Sequence, residues 1–186
     1  NDVKAIECDD IAPFVVAVMD IECFSSDADR MPIAKIPADK VIQIGTTYRI
    51  LGQKDCYRRS IITLNSCDEL ENTVVIPKMR EKDVIIEWAK EIQREDPDII
   101  SGYNTFGFDY SYLYERAQGI HHVEHLFGRL GRKIGKITEL EKKELKSSAL
   151  GDNIMYLLPM EGRISMDMLK VVQRDHKLDS FKLGFV

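Results

Sequence analysis

A run of nine residues near the start of the chain restricts the fold more than any other feature of the sequence. Phe14 to Met19 is continuously apolar, and the run ends in Asp20-Ile21-Glu22. A short apolar run with these flanks is typical of a β-strand inside a sheet. It therefore predicts a central strand, covered on both faces up to Asp20. Because 44% of the 186 residues are hydrophobic, the chain has enough apolar residues for the core of one globular domain.

The periodicity of the rest of the chain predicts strands and helices in turn. Further strands are expected at 41–48, 56–64, 98–102 and 162–165, and helices at 80–94, 106–118, 166–174 and from Ser180 onwards. Three strands followed by strands that alternate with helices describe an α/β fold, with a mixed β-sheet flanked by helices. In such a sheet, a functional site is expected at the carboxyl ends of central strands.

Asp20 and Glu22 form the first candidate site. They are two residues apart on the predicted strand, so both carboxylates leave the same face near its carboxyl end. Neighbouring carboxylates repel each other, which raises the pKa of one of them unless a cation lies between them. Mg²⁺ prefers such hard oxygen ligands and shares its coordination shell with substrate phosphates. Acidic residues also end many strands simply by facing water, so the pair alone is a weak indication of a metal site.

A second candidate site lies where the strand at 98–102 passes into the next helix. The sequence there is Tyr103-Asn104-Thr105-Phe106-Gly107-Phe108-Asp109. Asp109 offers a third carboxylate from the first turn of the helix, and Asn104 offers an amide just before it. Phe106 and Phe108 fit either core packing or stacking on a nucleobase. Both candidate sites are expected near the same end of the sheet.

The charge of the chain argues against binding of nucleic acid by charge over its whole surface. The net charge is −5 and the isoelectric point is about 5.5. An acidic site can still act on nucleic acid, because bound metal ions invert its local charge. Residues 121–150 are locally basic, with seven Lys or Arg against four Glu. On composition alone, the simpler interpretation of that stretch is a solvated surface.

Together, the two candidate sites resemble the first two exonuclease motifs of family B DNA polymerases. Asp20-Ile21-Glu22 is similar to the first motif, and the stretch from Asn104 to Phe108-Asp109 is similar to the second, of the form Asn-x-x-x-Phe-Asp. The surrounding segments at 41–45, 96–104 and 162–168 look like the delta-type replicative branch. The resemblance covers almost the whole chain, and several matches in order are more specific than either motif alone.

The resemblance implies an RNase H-like fold of the four-acidic-residue exonuclease class, with a β-hairpin insertion between about 127 and 160. It implies two Mg²⁺ ions, with Mn²⁺ as an alternative, held by three catalytic residues: Asp20, Glu22 and Asp109. The residues implied to hold the terminal nucleotides of a single-stranded primer 3′ end are Asn104, Phe108 and Tyr103. The basic stretch then offers candidate phosphate contacts: Arg129, Arg132 and Lys133.

The family's third motif, Tyr-x-x-x-Asp, supplies a fourth carboxylate. Asp167, Asp175 and Asp179 do not follow a Tyr by four residues, and Asp167 is expected to cap a helix instead. Residues 1–12 are expected to be a lead-in from a preceding domain. Residues 13–186 are expected to be an exonuclease domain that is incomplete at its C-terminal end, so that the chain alone is weak or inactive.

The resemblance also implies the biological setting. The expected activity is proofreading during DNA replication: hydrolysis of the primer 3′ end with release of deoxynucleoside monophosphates. The expected partners are DNA, the remainder of a polymerase chain and accessory replication subunits. Four scattered cysteines favour reduced thiols and an intracellular location, in the nucleus or at a site of viral replication. No membrane contact is expected, because no apolar run approaches about 18 residues.

Two alternatives stay open. One is a stand-alone RNA-trimming exonuclease of the same acidic class, against which the delta-like flanks and the length of the insertion argue. The other is a catalytically silent copy that serves as a DNA-binding or interaction module. Such a copy is expected to lose its carboxylates, and Asp20, Glu22 and Asp109 are all present.

Overall fold

A computed structural model describes residues 4, 6–10, 12–147 and 151–186. The strands in these residues are β1 (Val15–Phe24), β2 (Lys40–Ile50), β3 (Arg58–Leu64), β4 (Val74–Lys78), β5 (Ile99–Gly102), β6 (Glu141–Ser147), β7 (Gly151–Leu157) and β8 (Ile164–Asp167). The helices are α1 (Glu81–Glu95), α2 (Asp109–Glu115), α3 (Glu124–Phe127) and α4 (Met168–Asp175). A π-helical turn (Arg116–Ile120) directly follows α2.

Six strands form one mixed sheet in the order β4-β3-β2-β1-β5-β8. β1 lies inside it, antiparallel to β2 and parallel to β5, and β8 continues the parallel part at one edge. β1, β5 and β8 therefore run in the same direction, and their carboxyl ends face the same end of the sheet. This arrangement confirms the mixed α/β sheet, the central first strand and the RNase H-like fold class.

The two faces of β1 differ, and the prediction that both are covered is wrong for the residues described. Ala17, Met19 and Ile21 are buried in one core with α1 and α2. On the opposite face, Val18 is 45% exposed, and Asp20 and Glu22 are also exposed. The core helix α1 contacts β2 and β3 on the Ala17 side, which leaves the Val18 side open. An apolar run predicts the strand but does not reveal which face a helix covers.

The insertion between α3 and β8 contains the hairpin that the family resemblance implied. β6 and β7 pair antiparallel, with Lys143 opposite Met155, and residues 148–150 between them lie outside the described residues. The helix predicted from Ser180 is wrong. One turn forms there instead, in which the N–H groups of Phe185 and Val186 donate to the carbonyl oxygen of Lys182.

β4 and the boundaries of the other elements differ from the sequence prediction. The sequence did not predict β4, whose five residues include a proline and are too few to show a period. The predicted helices and strands otherwise occur, with boundaries shifted by a few residues.

In the part of the chain that the structure describes, no helix has the length and apolar character needed to cross a bilayer.

A buried ion pair joins α1 to the π-helical turn that follows α2. Arg116 is fully buried, and its guanidinium donates hydrogen bonds to both carboxylate oxygens of Glu81 in the first turn of α1. Glu81 also accepts a hydrogen bond from the backbone N–H of Val41 at 2.9 Å and contacts Nε2 of His121 at 2.9 Å. Burial alone would raise the pKa of Glu81, but these donors together lower it. The carboxylate is therefore held in its ionised form.

The same pair anchors the long loop between β1 and β2 (residues 25–39). The Arg116 guanidinium donates to three backbone carbonyl groups of this loop, those of Ala34, Ile36 and Pro37. At the end of the loop, Asp39 is fully buried and accepts hydrogen bonds from the backbone N–H groups of Ser26 and Ile33. The chain that follows the carboxylates of β1 is thus fixed at several points to the core.

Replacing Arg116 with Leu should destabilise the fold strongly, because Glu81 would stay buried without its cation. Breaking a buried pair in this way costs about 3–5 kcal/mol, and we expect that loss in the free energy of unfolding by urea at pH 7. Arg80→Leu is the matched control. Arg80 is exposed and pairs with Asp83, so its loss should cost at most about 1 kcal/mol. Equal effects of the two variants would contradict the anchoring role of Arg116.

Candidate active site

Asp20 and Glu22 lie on the open face of β1, as the alternation of the strand predicted. Asp20 pairs with Gly45 of β2, which has no side chain and leaves open space above its α-carbon. A bulge between Glu22 and Cys23 follows directly. Bulges change the direction of side chains and are frequent beside active sites. The two carboxylates therefore project into open space at one end of the sheet.

The chain after β5 forms a tight turn that depends on two glycines. Asn104 adopts a φ of 64°, in the left-handed region that asparagine tolerates, and its carbonyl accepts from the N–H of Gly107. A Cβ on Gly107 would lie 2.3 Å from Oδ1 of Asn104. A Cβ on Gly102 would lie 2.6 Å from the carbonyl oxygen of Met19. The glycines thus let the Asn104 amide lie across the turn and let β5 approach β1 just before Asp20.

This approach brings Asp109, the first residue of α2, close to Asp20. Asp109 is 3% exposed, and its Oδ1 atom is buried without a hydrogen-bond partner among the described residues. Burial and then the charge of Asp20 raise the pKa of Asp109 to about 7. Burial also raises the pKa of Asp20 above its ordinary value. Asp109 is therefore a poorly solvated carboxylate that a second carboxylate repels.

The carboxylates fit a divalent cation, although the structure does not gather three of them into one cluster. Among the described residues, no three His, Cys, Asp or Glu side chains lie close enough together to hold a metal ion. Asp20 and Asp109 interact electrostatically, and Glu22 lies two residues further along the same face of β1. An unpaired, buried carboxylate oxygen beside a second carboxylate is a suitable donor set for a hard cation such as Mg²⁺.

Asp167 has a larger role than the helix cap predicted for it. It is 2% exposed at the end of β8, and it accepts the N–H of Leu169, which confirms the cap. It also accepts the backbone N–H groups of Asn104 at 2.8 Å and Phe106 at 3.0 Å. The register that pairs Asp167 with Gly102 places it beside this turn. The sequence motif around Asp167 gave no signal of these contacts across the sheet.

The other residues predicted to hold the terminal nucleotides lie around the same turn. Phe108 precedes α2, and its half-buried ring packs on Tyr112 with 5.2 Å between ring centroids. The hydroxyl group of Tyr103 donates to the carbonyl oxygen of Phe181 at 2.5 Å. The side-chain amide of Asn104 has no hydrogen-bond partner in the described part of the chain. Asn104 and Phe108 therefore retain groups that could contact a substrate.

The three basic residues predicted to contact phosphates lie away from the carboxylates. Arg132 pairs with Asp96 and Asp98, and Lys133 lies 3.4 Å from Glu161. Asp98 in turn accepts the N–H of Val15, where β1 begins, so this loop is at the opposite end of the sheet from Asp20. A phosphate-binding role for Arg129, Arg132 and Lys133 stays a prediction, and it does not involve the carboxylate site directly.

The whole chain, residues 1–186, matches the model of the exonuclease domain of family B DNA polymerases. The chain belongs to this family. It is 42% identical over 151 residues to a DNA polymerase of Pyramimonas orientalis virus, covering 81% of the chain and 12% of that protein. It is 36% identical over 179 residues to the DNA polymerase delta catalytic subunit of Dictyostelium discoideum, covering 96% and 16%.

A third relative, the DNA polymerase delta catalytic subunit of Glycine max, is 36% identical over 177 residues, covering 95% of the chain and 16% of that protein. The chain therefore spans less than a fifth of the length of these relatives. The names of the two cellular relatives confirm the resemblance to the delta-type branch of the family B polymerases.

Asp109→Asn should stabilise the protein at neutral and higher pH. The raised pKa means that the folded state binds a proton more tightly than the unfolded state, so stability falls as pH rises from about 4 to about 7. Removing the charge should raise the free energy of unfolding by about 1–4 kcal/mol at pH 8, with no gain near pH 4. Urea denaturation in EDTA at both pH values measures this. A loss at pH 8 would contradict the unfavourable environment of the carboxylate.

The same substitution at Asp167 should have the opposite effect. Asp167→Asn replaces one acceptor oxygen by an NH₂ group and leaves a partly buried N–H of the turn or of α4 without its partner. We expect a loss of about 1–3 kcal/mol in the same denaturation measurement. A variant as stable as the wild type would show that these N–H groups find other acceptors.

Proposed function

We propose that this chain is the proofreading 3′→5′ exonuclease domain of a replicative polymerase. The proposed reaction hydrolyses the last phosphodiester bond of a single-stranded primer 3′ end and releases a deoxynucleoside monophosphate. The observation that carries the proposal is the pair Asp20 and Asp109. One carboxylate oxygen of Asp109 is buried and unpaired, and burial together with the charge of Asp20 raises the pKa of Asp109, in a chain of the family B exonuclease family.

The three carboxylates would hold the cations. Exonuclease domains of this family are generally metal-dependent. We assign Asp20, Glu22 and Asp109 as the residues that would hold two Mg²⁺ ions, or Mn²⁺ as the alternative. Bound ions would polarise the phosphate and lower the pKa of a water molecule. The positive charge would also keep Asp109 ionised at neutral pH, in spite of its burial.

The turn after β5 would hold the DNA end. We assign the free amide of Asn104 to the terminal nucleotide, and the half-buried ring of Phe108 to stacking on a base, with Tyr103 beside them. Stacking tolerates any base, which suits an enzyme that removes whichever nucleotide is mispaired. Selectivity for a mismatch would then come from the lower free energy needed to unpair it.

The relatives support the biological part of the proposal. They are DNA polymerases, and the chain spans only a small part of each. We therefore propose that residues 13–186 act within a longer polymerase chain that binds DNA and accessory replication subunits. The proposed location is where DNA is replicated, in the nucleus or at a viral replication site.

The decisive test is release of labelled nucleotide from the 3′ end of single-stranded DNA with Mg²⁺ or Mn²⁺. No Asp of this chain matches the third family motif, so we expect slow release by the chain. A form extended by about 60 residues of the parent polymerase should be faster. Asp20→Ala should reduce release from the extended form by at least about a hundredfold, because it removes one of the proposed metal ligands.

Asp55→Ala is the matched control, since Asp55 is an exposed carboxylate in the turn between β2 and β3. It should leave release unchanged. Release that survives Asp20→Ala would contradict the assignment of the site. DNA binding without release by either form would favour the silent binding module, and faster release from RNA would favour an RNA-trimming enzyme.

A further inference from the structure

A cleft of about 330 Å³ lies beside the Asn104 turn, between the hairpin, β8 and α4. Its walls are mostly apolar, and the side chains that form them are Phe106, Leu145, Met155, Met166 and Val171. Lys170 and Arg174, four residues apart on α4, line the same cleft. The cleft therefore combines an apolar surface, including one aromatic ring, with two cations. None of the roles proposed for the carboxylate site involves this cleft.

Phe106 connects this cleft to the carboxylate site. Its backbone N–H donates to Asp167, and its carbonyl oxygen accepts the N–H of Tyr156 in β7 at 2.8 Å. Phe106 precedes Asp109 by three residues, which span at most about 11 Å of chain. A strand of DNA whose end lies at Asp20 and Asp109 therefore has its next nucleotides within reach of the cleft.

The charges around the cleft suit a polyanion. Lys170 donates to the neutral side chains of Asn153 at 3.0 Å and Gln173 at 3.5 Å, and it forms no ion pair with a carboxylate among the described residues. Arg174 pairs with its exposed neighbour Asp175, an interaction of little strength at the surface. Asp167 also lines the cleft, but its oxygens already accept three backbone N–H groups.

The hairpin adds a third cation. Lys143 pairs directly with Met155 across β6 and β7, so the two side chains share one face of the hairpin. Met155 lines the cleft, and Lys143 is exposed. A phosphate backbone that follows α4 would therefore meet positive charge on both sides of the apolar surface.

We propose that this cleft binds the single-stranded DNA that leads to the carboxylate site. A base would pack on Phe106 and Met155, while Lys170 and Arg174 would contact the phosphates on either side of it. Sites for single strands combine a positively charged groove with aromatic surfaces for the bases. The inference rests on the proposed function, since the strand end is placed at Asp20 and Asp109.

The test compares two double variants of the chain that lose the same charge. Lys170→Gln with Arg174→Gln removes the cleft cations, and Lys54→Gln with Lys90→Gln removes two exposed lysines elsewhere. Binding of fluorescein-labelled (dT)₁₂ is followed by anisotropy in EDTA at several salt concentrations. Loss of two phosphate contacts should reduce the salt slope of log K by about 1.4 and weaken binding roughly tenfold to hundredfold at 50 mM salt. The control should match the wild type.

A photocrosslink tests the position of the strand independently of charge. A thymine analogue (4-thiothymine) placed two to four nucleotides from the 3′ end should crosslink to the peptides that contain Phe106 or Met155. Equal binding by the two double variants, or a crosslink that maps outside the cleft, would overturn the inference. If Asp20→Ala still abolishes release in that case, only the cleft assignment fails. If the extended wild-type form neither binds nor cleaves DNA, the proposed function fails with it.

Discussion

The pairing of β1 on both of its edges is the constraint on which the site depends. β2 and β5 fix the register of the strand, and the alternation of side chains then decides which residues meet the core. Ala17, Met19 and Ile21 take the buried face, so Asp20 and Glu22 must take the open one. A shift by one residue would bury both carboxylates in the core and expose the apolar set. The register of β1 therefore determines both the packing of the sheet and the position of Asp20 and Glu22.

Asp109 shows how the site departs from the rules that stabilise the rest of the fold. Most buried polar groups of the described residues have partners, as Glu81 and Asp39 do, whereas Asp109 keeps an unpaired oxygen next to a second negative charge. A buried carboxylate oxygen without a donor costs free energy in the absence of a ligand. Local violations of this kind are expected where a protein binds or reacts, because the missing partner is then supplied by the ligand.

The sequence was sufficient to predict the elements that depend on residues close together in the chain. The apolar run before Asp20 indicated the central strand, and the motifs indicated that Asp20, Glu22 and Asp109 would lie at one end of the sheet. Contacts between distant segments were not predictable in the same way. Asp167 meets the Asn104 turn because of the register between β5 and β8, and Arg116 meets Glu81 across 35 positions of the chain. The open face of β1 depends on which side α1 packs, and the apolar run contains no information about that.

The anchored loop between β1 and β2 has a consequence for the dynamics of the protein. Loops of this length usually exchange their amide hydrogens quickly and accept inserted residues. Here the guanidinium group of Arg116 holds three carbonyl groups of the loop, and Asp39 holds two of its N–H groups. The loop can open only when a buried charge loses its partners, so it should open together with the core. Within residues 25–39, the amide hydrogens of Ser26 and Ile33 should therefore exchange more slowly than is usual for a loop, although the segment contains neither helix nor strand.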